Sequence, residues 1–363
     1  MIPKIVMDMS PDNIRLGREF PADQPIRWGV WGPGNISHKF AEALEVVHDG
    51  YVLAIGSRHL EHAEAWAARH GTERAYDSIE ALAADQDIDI VYVASPMSAH
   101  YEDCKVLLEA GHSILCEKTV TLNLGQLMEL LQLAQDNRCF FMEAMWSRFL
   151  PAANEGVRVV EEGMIGDVKV LRASFNIGTP FDPNSRLFDP ELGGGTLLDL
   201  GVYPIAVTLS FLGGDVKNLQ AEAYIGPTGV DHDFNALLAY DHAYAALSAG
   251  VDQPEPLVCN IVGTKGRLEL VDPFNGVEEV KAFDMYGNQI HYYHWGHEKN
   301  GFEYQIRASQ EMLRQGRLWH PDWSWQHSIH SMALMDSCRR QWGMLYPDED
   351  EAMLGDYASS PSL

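Results

Sequence analysis

Short apolar runs alternate with amphipathic stretches from residue 26 to about 149, and the two periods predict different elements. The runs at 26–31, 51–56, 88–94, 112–116 and 139–143 are short and mostly apolar, the pattern of strands buried on both faces. Between them, 38–47, 61–70, 100–110 and 124–137 carry apolar residues every three or four positions, which predicts helices. Weaker strand and helix signals occupy 75–84. Gly111 stops one helix, and Asn123 stands where the next would be capped. Strand and helix in alternation predict a doubly wound parallel sheet.

After residue 150 the pattern changes. Strand-like runs follow one another at 168–177, 219–225, 234–240, 245–251, 258–262, 267–271, 277–285 and 289–294, with hairpin signals at 263–266 and 286–288. A loop at 186–195 and a helical stretch at 196–212 interrupt the series. Helices at 301–315 and 325–342 close it and are expected to pack back on the first unit. The fold class is therefore α/β plus α+β: a parallel sheet over 25–150 and an open-faced, largely antiparallel sheet over 151–345. Residues 1–24 lack periodicity and read as an extension outside the fold. Residues 346–363 read as an acidic, mobile tail.

Composition narrows the function. The 52 acids against 26 bases give a formal charge of −26. Such a surface repels phosphate backbones and anionic lipid, so no nucleic acid and no membrane is an expected partner. A saline environment is the lesser alternative for this acidity. No apolar run reaches the roughly 18 residues of a membrane span, and the first 24 residues lack a signal-peptide pattern. A cytoplasmic protein is expected. The five cysteines include no Cys-x-x-Cys pair and read as buried free thiols. His291, His294 and His297 recur every third residue, but in a strand that spacing alternates faces, and no metal site is expected.

The candidate chemistry lies at the ends of the first-half strands. Gly32-Pro-Gly34-Asn35-Ile36-Ser37 joins the first strand to the first helix, the context required of a dinucleotide fingerprint. Gly32 permits the tight turn, Gly34 lets backbone approach a pyrophosphate, and Ser37 takes the third, small position. An ordinary glycine turn is the plainer alternative. The second strand ends at Ser57-Arg58, where an acid would hold the ribose hydroxyls of NAD. A hydroxyl and a planar cation there favour a 2′-phosphate, hence NADP, with NAD still possible. An exposed arginine at a loop tip remains the alternative. The run 114–119 ends a buried strand and delivers Lys118 to the same edge of the sheet.

Taken together, Gly32-Pro-Gly-Asn-Ile, the loop from Ser95-Pro96 to His100, Glu117-Lys118, and Gly194-Gly-Thr-Leu-Leu-Asp199-Leu-Gly-Val-Tyr203-Pro form a known pattern. In this order and spacing the chain resembles the glucose-fructose oxidoreductase, inositol dehydrogenase and MocA (Gfo/Idh/MocA) family, from about Ile26 to Met344. The segments 142–151 and 186–195 are most similar to the branch of dimeric dihydrodiol dehydrogenases and NADP-dependent aldose (xylose) dehydrogenases. The resemblance implies a Rossmann domain that binds the cofactor through Gly32, Gly34, Asn35, Ile36, Ser57, Arg58, Ser95, Pro96, His100, Glu117 and Lys118. It also implies an open sheet that joins two or more copies. The family usually has Pro after Glu-Lys; Thr119 stands there instead, which frees φ and adds an amide N–H, so a less rigid Lys118 loop is expected.

By the same resemblance Tyr203 is the acid or base, Lys118 the ammonium that lowers its pKa, and Asp199 the group that orients Lys118 or binds the substrate. Asp199 and Tyr203, four residues apart, share one helix face, although Pro204 would kink that helix. Trp146, Arg148 and Phe175 are the implied substrate wall. The alternatives are that Tyr203 is a core residue and that Arg148 braces the joint between the units. The reaction implied is hydride transfer between a nicotinamide and a CH–OH or C=O carbon of a small molecule: an aldose, cyclic polyol or trans-dihydrodiol. A non-catalytic nucleotide-sensing regulator, and an enzyme whose held cofactor cycles between two sugars, stay open.

Overall fold

The computed structural model describes residues 14–355. In chain order its first half contains β1 (Ile26–Trp31), α1 (Asn35–Leu44), β2 (Gly50–Gly56), α2 (Leu60–His70), β3 (Arg74–Tyr76), α3 (Ile79–Ala83), β4 (Ile90–Val93), α4 (His100–Glu109), β5 (Ser113–Glu117), α5 (Leu124–Asp136) and β6 (Phe141–Ala144). The strands pair in parallel in the order β3-β2-β1-β4-β5-β6. Strands β4, β5 and β6 are buried at every residue, which is why they read as continuous apolar runs. The order reverses between β1 and β4, so the crevice at the carboxyl ends of these strands is where a ligand belongs. Asn123 caps α5 as expected, its side chain accepting from Gln126 N at 3.0 Å. Helix α1 starts three residues before its apolar pattern, because the glycine turn delivers the chain directly into it.

The second half contains α6 (Pro151–Glu161), β7 (Val168–Asn176), α7 (Val202–Leu212), β8 (Asn218–Ile225), β9 (Asp231–Ala239), β10 (Tyr244–Gly250), β11 (Cys259–Gly263), β12 (Gly266–Leu270), β13 (Glu279–Asp284), β14 (Gln289–His294), α8 (Phe302–Gln315) and α9 (Trp325–Trp342). Its eight strands run β14-β13-β12-β11-β7-β10-β9-β8, antiparallel except for the β7–β10 pair. Helices α6, α7 and α9 cover one face of this sheet, while α8 packs on α1 and α9 reaches α5. The apolar stretch Pro190–Leu212 is mostly buried, a core element. All five cysteines are free and buried.

The two chain ends depart from expectation. Residues 1–13 and 356–363 lie outside the described residues, but 14–24 are not outside the fold. Leu16 N donates to Gly316 O at 3.1 Å, Gly17 N to Arg138 O at 2.9 Å, Arg18 pairs with Asp89 at 2.7 Å, and Phe20 is buried. Residues 346–355 are likewise held rather than mobile. Tyr346 donates to Gly194 O at 2.7 Å, and Glu349 pairs with the buried Arg339 at 2.7 Å. Gly355 N donates to Asp336 at 2.7 Å. Both segments are fixed by single side chains and backbone bonds, which leave no period in the sequence.

Candidate active site

Gly32 turns the chain at the end of β1 with φ +101°, and a Cβ there would lie 2.7 Å from the carbonyl of Ala94. Only glycine makes this turn. A Cβ on Gly34 would instead point into open space, where a side chain would fill the room beside the first turn of α1. That turn has no side-chain cap, which leaves amide groups facing outward to meet an anion. Ser37 is buried, donates to Gly34 O at 2.8 Å and accepts from Trp66 Nε1 at 3.0 Å, tying α1 to α2. The cradle fits the pyrophosphate of a dinucleotide.

From this turn a cleft of about 690 Å³ runs along the carboxyl edge of the parallel sheet. Every residue expected to hold a cofactor lines it, as does Asp199. His100 lies at its back, buried, with Nε2 2.9 Å from Ser95 O and Nδ1 3.0 Å from Thr119 O. Burial pushes its pKa down to about 4, so the neutral imidazole donates to one of these two carbonyls and packs against the other. Glu117 accepts from Tyr92 Oη, and burial raises its carboxyl to about 7.

Lys118 stands on the cleft floor. Its Nζ donates to Asp199 Oδ1 at 2.9 Å and to Asp199 O at 2.7 Å. Burial opposes the ammonium, but Asp199, Tyr203 and Glu117 outweigh it and hold the pKa above the ordinary lysine value. Asp199 also accepts from Arg186 Nη2 at 3.0 Å. Burial favours its neutral form, yet Lys118 and Arg186 hold it well below the usual carboxylate range.

The Pro204 kink expected in this helix appears as a π turn over Leu197–Gly201, and it brings the site together. Pro204 has no N–H to give the turn before it. Two carbonyls of that turn are met from the Lys118 loop: Asp199 O by Lys118, and Leu198 O by Thr119 Oγ1 at 2.6 Å. Thr119 is fully buried and its peptide with Lys118 is cis. The less rigid loop expected from the missing proline is not what the structure shows, because the buried threonine hydroxyl is bonded across to the helix at Leu198 O.

Tyr203 is buried with its ring centroid 5.1 Å from Lys118 Nζ, and it accepts from Trp146 Nε1 at 3.0 Å. Phe175 stacks on it at 5.2 Å and 14°. Burial raises the phenol pKa, Lys118 lowers it, and the balance stays above the ordinary tyrosine value. The phenol therefore rests protonated. The guanidinium of Arg148 turns away from this group, to Asp322 at 3.4 Å and to Asn154. Conversely, the guanidinium of Arg186 holds Asp199 from a single 3₁₀ turn within a loop, and nothing in the sequence pattern marks that role.

Two family models match the chain: an oxidoreductase family with an NAD-binding Rossmann fold over residues 26–145, and the GFO/IDH/MocA C-terminal domain over 157–269. The chain belongs to the Gfo/Idh/MocA oxidoreductase family. This Gfo/Idh/MocA member is 34% identical to trans-1,2-dihydrobenzene-1,2-diol dehydrogenase of Xenopus tropicalis over 88% of the chain and 99% of that relative. The Homo sapiens protein of the same name is 31% identical over 68% of the chain and 75% of its own length. Among solved structures, the 3-ketoreductase KijD10 of Actinomadura kijaniata, in complex with NADP and TDP-benzene, superimposes with a TM-score of 0.77. It is 29% identical and covers 87% of this chain and 98% of its own. An aldose-aldose oxidoreductase of Caulobacter crescentus shares the fold at a TM-score of 0.79 and 19% identity, covering 89% of this chain and all of its own. The protein is an oxidoreductase with a nicotinamide-dinucleotide domain.

Proposed function

We propose that this oxidoreductase prefers NADP and interconverts a secondary alcohol and a carbonyl on a cyclic substrate: a trans-dihydrodiol, an aldose or a cyclic polyol. The observation that carries the reading is the buried Lys118–Asp199 pair, with Lys118 Nζ 5.1 Å from the Tyr203 ring at the end of a dinucleotide cleft. When bound, the nicotinamide accepts or supplies the hydride. The chain's own residues handle the proton. In reduction the Tyr203 hydroxyl gives its proton to the substrate oxygen; in oxidation the Tyr203 phenolate, left once that proton has gone to solvent, takes the proton of the substrate hydroxyl. Lys118, fixed by both oxygens it touches on Asp199, keeps a positive charge beside the phenol and lowers the cost of its ionised form. Trp146 and Phe175 hold the phenol in place and give the substrate an aromatic wall, suited to the apolar face of a ring. The test is a spectrophotometric screen of trans-dihydrodiols, aldoses and cyclic polyols with NADP and NAD. Turnover of at least one class with NADP is expected; tight NADP binding with no turnover of any class would favour a nucleotide sensor.

The cofactor preference rests on Ser57 and Arg58, which line the cleft where the fold would place an acid for NAD. Arg58→Ala is expected to remove most of the NADP preference, about 1.5 to 3 kcal/mol for a charge-assisted contact. Equal affinities for the two nucleotides in the parent protein would refute it.

The uncovered face of the antiparallel sheet supports self-association. Tyr224, Leu237 and Tyr244 are 55%, 44% and 54% exposed there, around a hollow that includes Arg172, Glu222 and Asn235. A dimer or larger assembly is expected by light scattering at micromolar concentration, and Leu237→Arg should dissociate it. A strictly monomeric parent would contradict this.

A further inference from the structure

The nucleotide end of the cleft holds more cationic capacity than Ser57 and Arg58 alone provide. His59 and His62 line the same wall, one helical turn apart, with ring centroids 5.3 Å from each other in an edge-on arrangement. Both are exposed, and neither imidazole has a hydrogen-bond partner among the described residues. The neighbouring histidines differ: His38 Nδ1 and His70 Nε2 face each other at 2.7 Å beside Trp66, so they are already engaged. His59 N donates to Ser57 Oγ at 3.2 Å, which joins the first imidazole's backbone to the hydroxyl and leaves that hydroxyl its own proton to give.

We propose that His59 and His62 act with Ser57 and Arg58 as ligands of the cofactor's 2′-phosphate, so that the choice of NADP over NAD strengthens as the pH falls. The proposal rests on the reading of this cleft as an NADP site. A neutral imidazole offers one N–H to a phosphate oxygen; a protonated one adds a full charge and a second N–H.

Charged and titratable groups of the neighbouring elements surround the two imidazoles. Arg58 adjoins them, and Lys39 of α1 lines the same cleft. The Asp103 carboxylate of α4, also in the cleft, accepts from Ser95 Oγ at 2.6 Å and faces the charge of Arg58. From β3, Tyr76 is bonded to Asp85. Glu61 on the first turn of α2 is exposed, and its charge is screened by solvent. The two histidines therefore contribute most where a phosphate is present and little where a ribose hydroxyl takes its place.

The sign follows from linkage. A phosphate raises the pKa of an imidazole it touches, so phosphate binding takes up a proton and tightens as the pH falls. Binding that takes up part of a proton over this range is about fivefold tighter near pH 6.5 than near pH 8.5, and a second imidazole increases this. The phosphate's own second pKa, about 6, sets the lower limit of the useful range.

Dissociation constants for NADP and NAD, measured by calorimetry on the parent and on the His59→Gln/His62→Gln double variant at both pH values, test this without turnover. The parent's NADP-to-NAD preference should rise about fivefold or more between about pH 8.5 and 6.5, and the double variant's should stay within about twofold. A parent preference for NADP that is the same at both pH values, or a double variant that keeps the full rise, overturns the role of the histidines and leaves the NADP reading standing. Equal affinity for both nucleotides at each pH overturns both.

Discussion

Replacing Tyr203 by phenylalanine is expected to lower turnover by about 10² to 10⁴, the usual worth of general acid–base catalysis, while NADP affinity stays within a few-fold of the parent. The substitution removes one oxygen and little else. Phe175 still has a ring to stack on, and the group left without its bond is the Trp146 indole N–H. That loss costs about 1 to 3 kcal/mol at most and does not unfold a domain of this size. Binding and chemistry should therefore separate, which a thermal melt and a nucleotide titration on the same sample will show. Turnover within a few-fold of the parent on the best substrate would remove Tyr203 from the proton path and leave Asp199 or a bound water as the candidate.

Lys118→Met should be nearly as damaging, by about 10² or more, for an electrostatic reason. The Tyr203 phenol is buried and its pKa is already raised; Lys118 is the leading influence that opposes the rise. Without the ammonium the phenol becomes harder to ionise. The limb of the rate profile set by Tyr203 should then move to higher pH in both directions of the reaction. Arg186 still holds Asp199 Oδ2 in this variant, so one cation remains against that carboxylate. The losses from Tyr203→Phe and Lys118→Met should not add, because the lysine acts only through the phenol. A double variant slower than either single one by a further factor of about 10² would show that the two residues work independently.

The sheets were legible because their cores are continuous: β4, β5 and β6 are buried on both faces, and β9 alternates buried and exposed residues for much of its length. The glycine turn and the residues at the strand ends were legible because topology alone delivers them to one edge. What escaped detection depends on a single side chain meeting a distant one. Arg18 reaches Asp89 and Glu349 reaches Arg339 from irregular backbone, and Arg186 reaches Asp199 from a single 3₁₀ turn within a loop. The π turn at Leu197–Gly201 is of the same kind: Pro204 marks a disturbance in the helix, but only the Lys118 loop across the cleft decides what replaces the missing donor. The direction of the Arg148 side chain is not legible for the converse reason. Its neighbours Trp146 and Phe149 are buried or partly so, and only the position of Asp322 shows which way the guanidinium turns.

The central claim is that Lys118 holds down the pKa of a buried Tyr203, and titrating that one phenol tests it most directly. Carbon NMR of tyrosine-labelled protein, with the Tyr203 signal assigned by its loss in Tyr203→Phe, reads the pKa in the parent and in Lys118→Met. The expected result is a Tyr203 pKa higher by about one unit or more in the variant. The same pKa in both proteins would contradict the account.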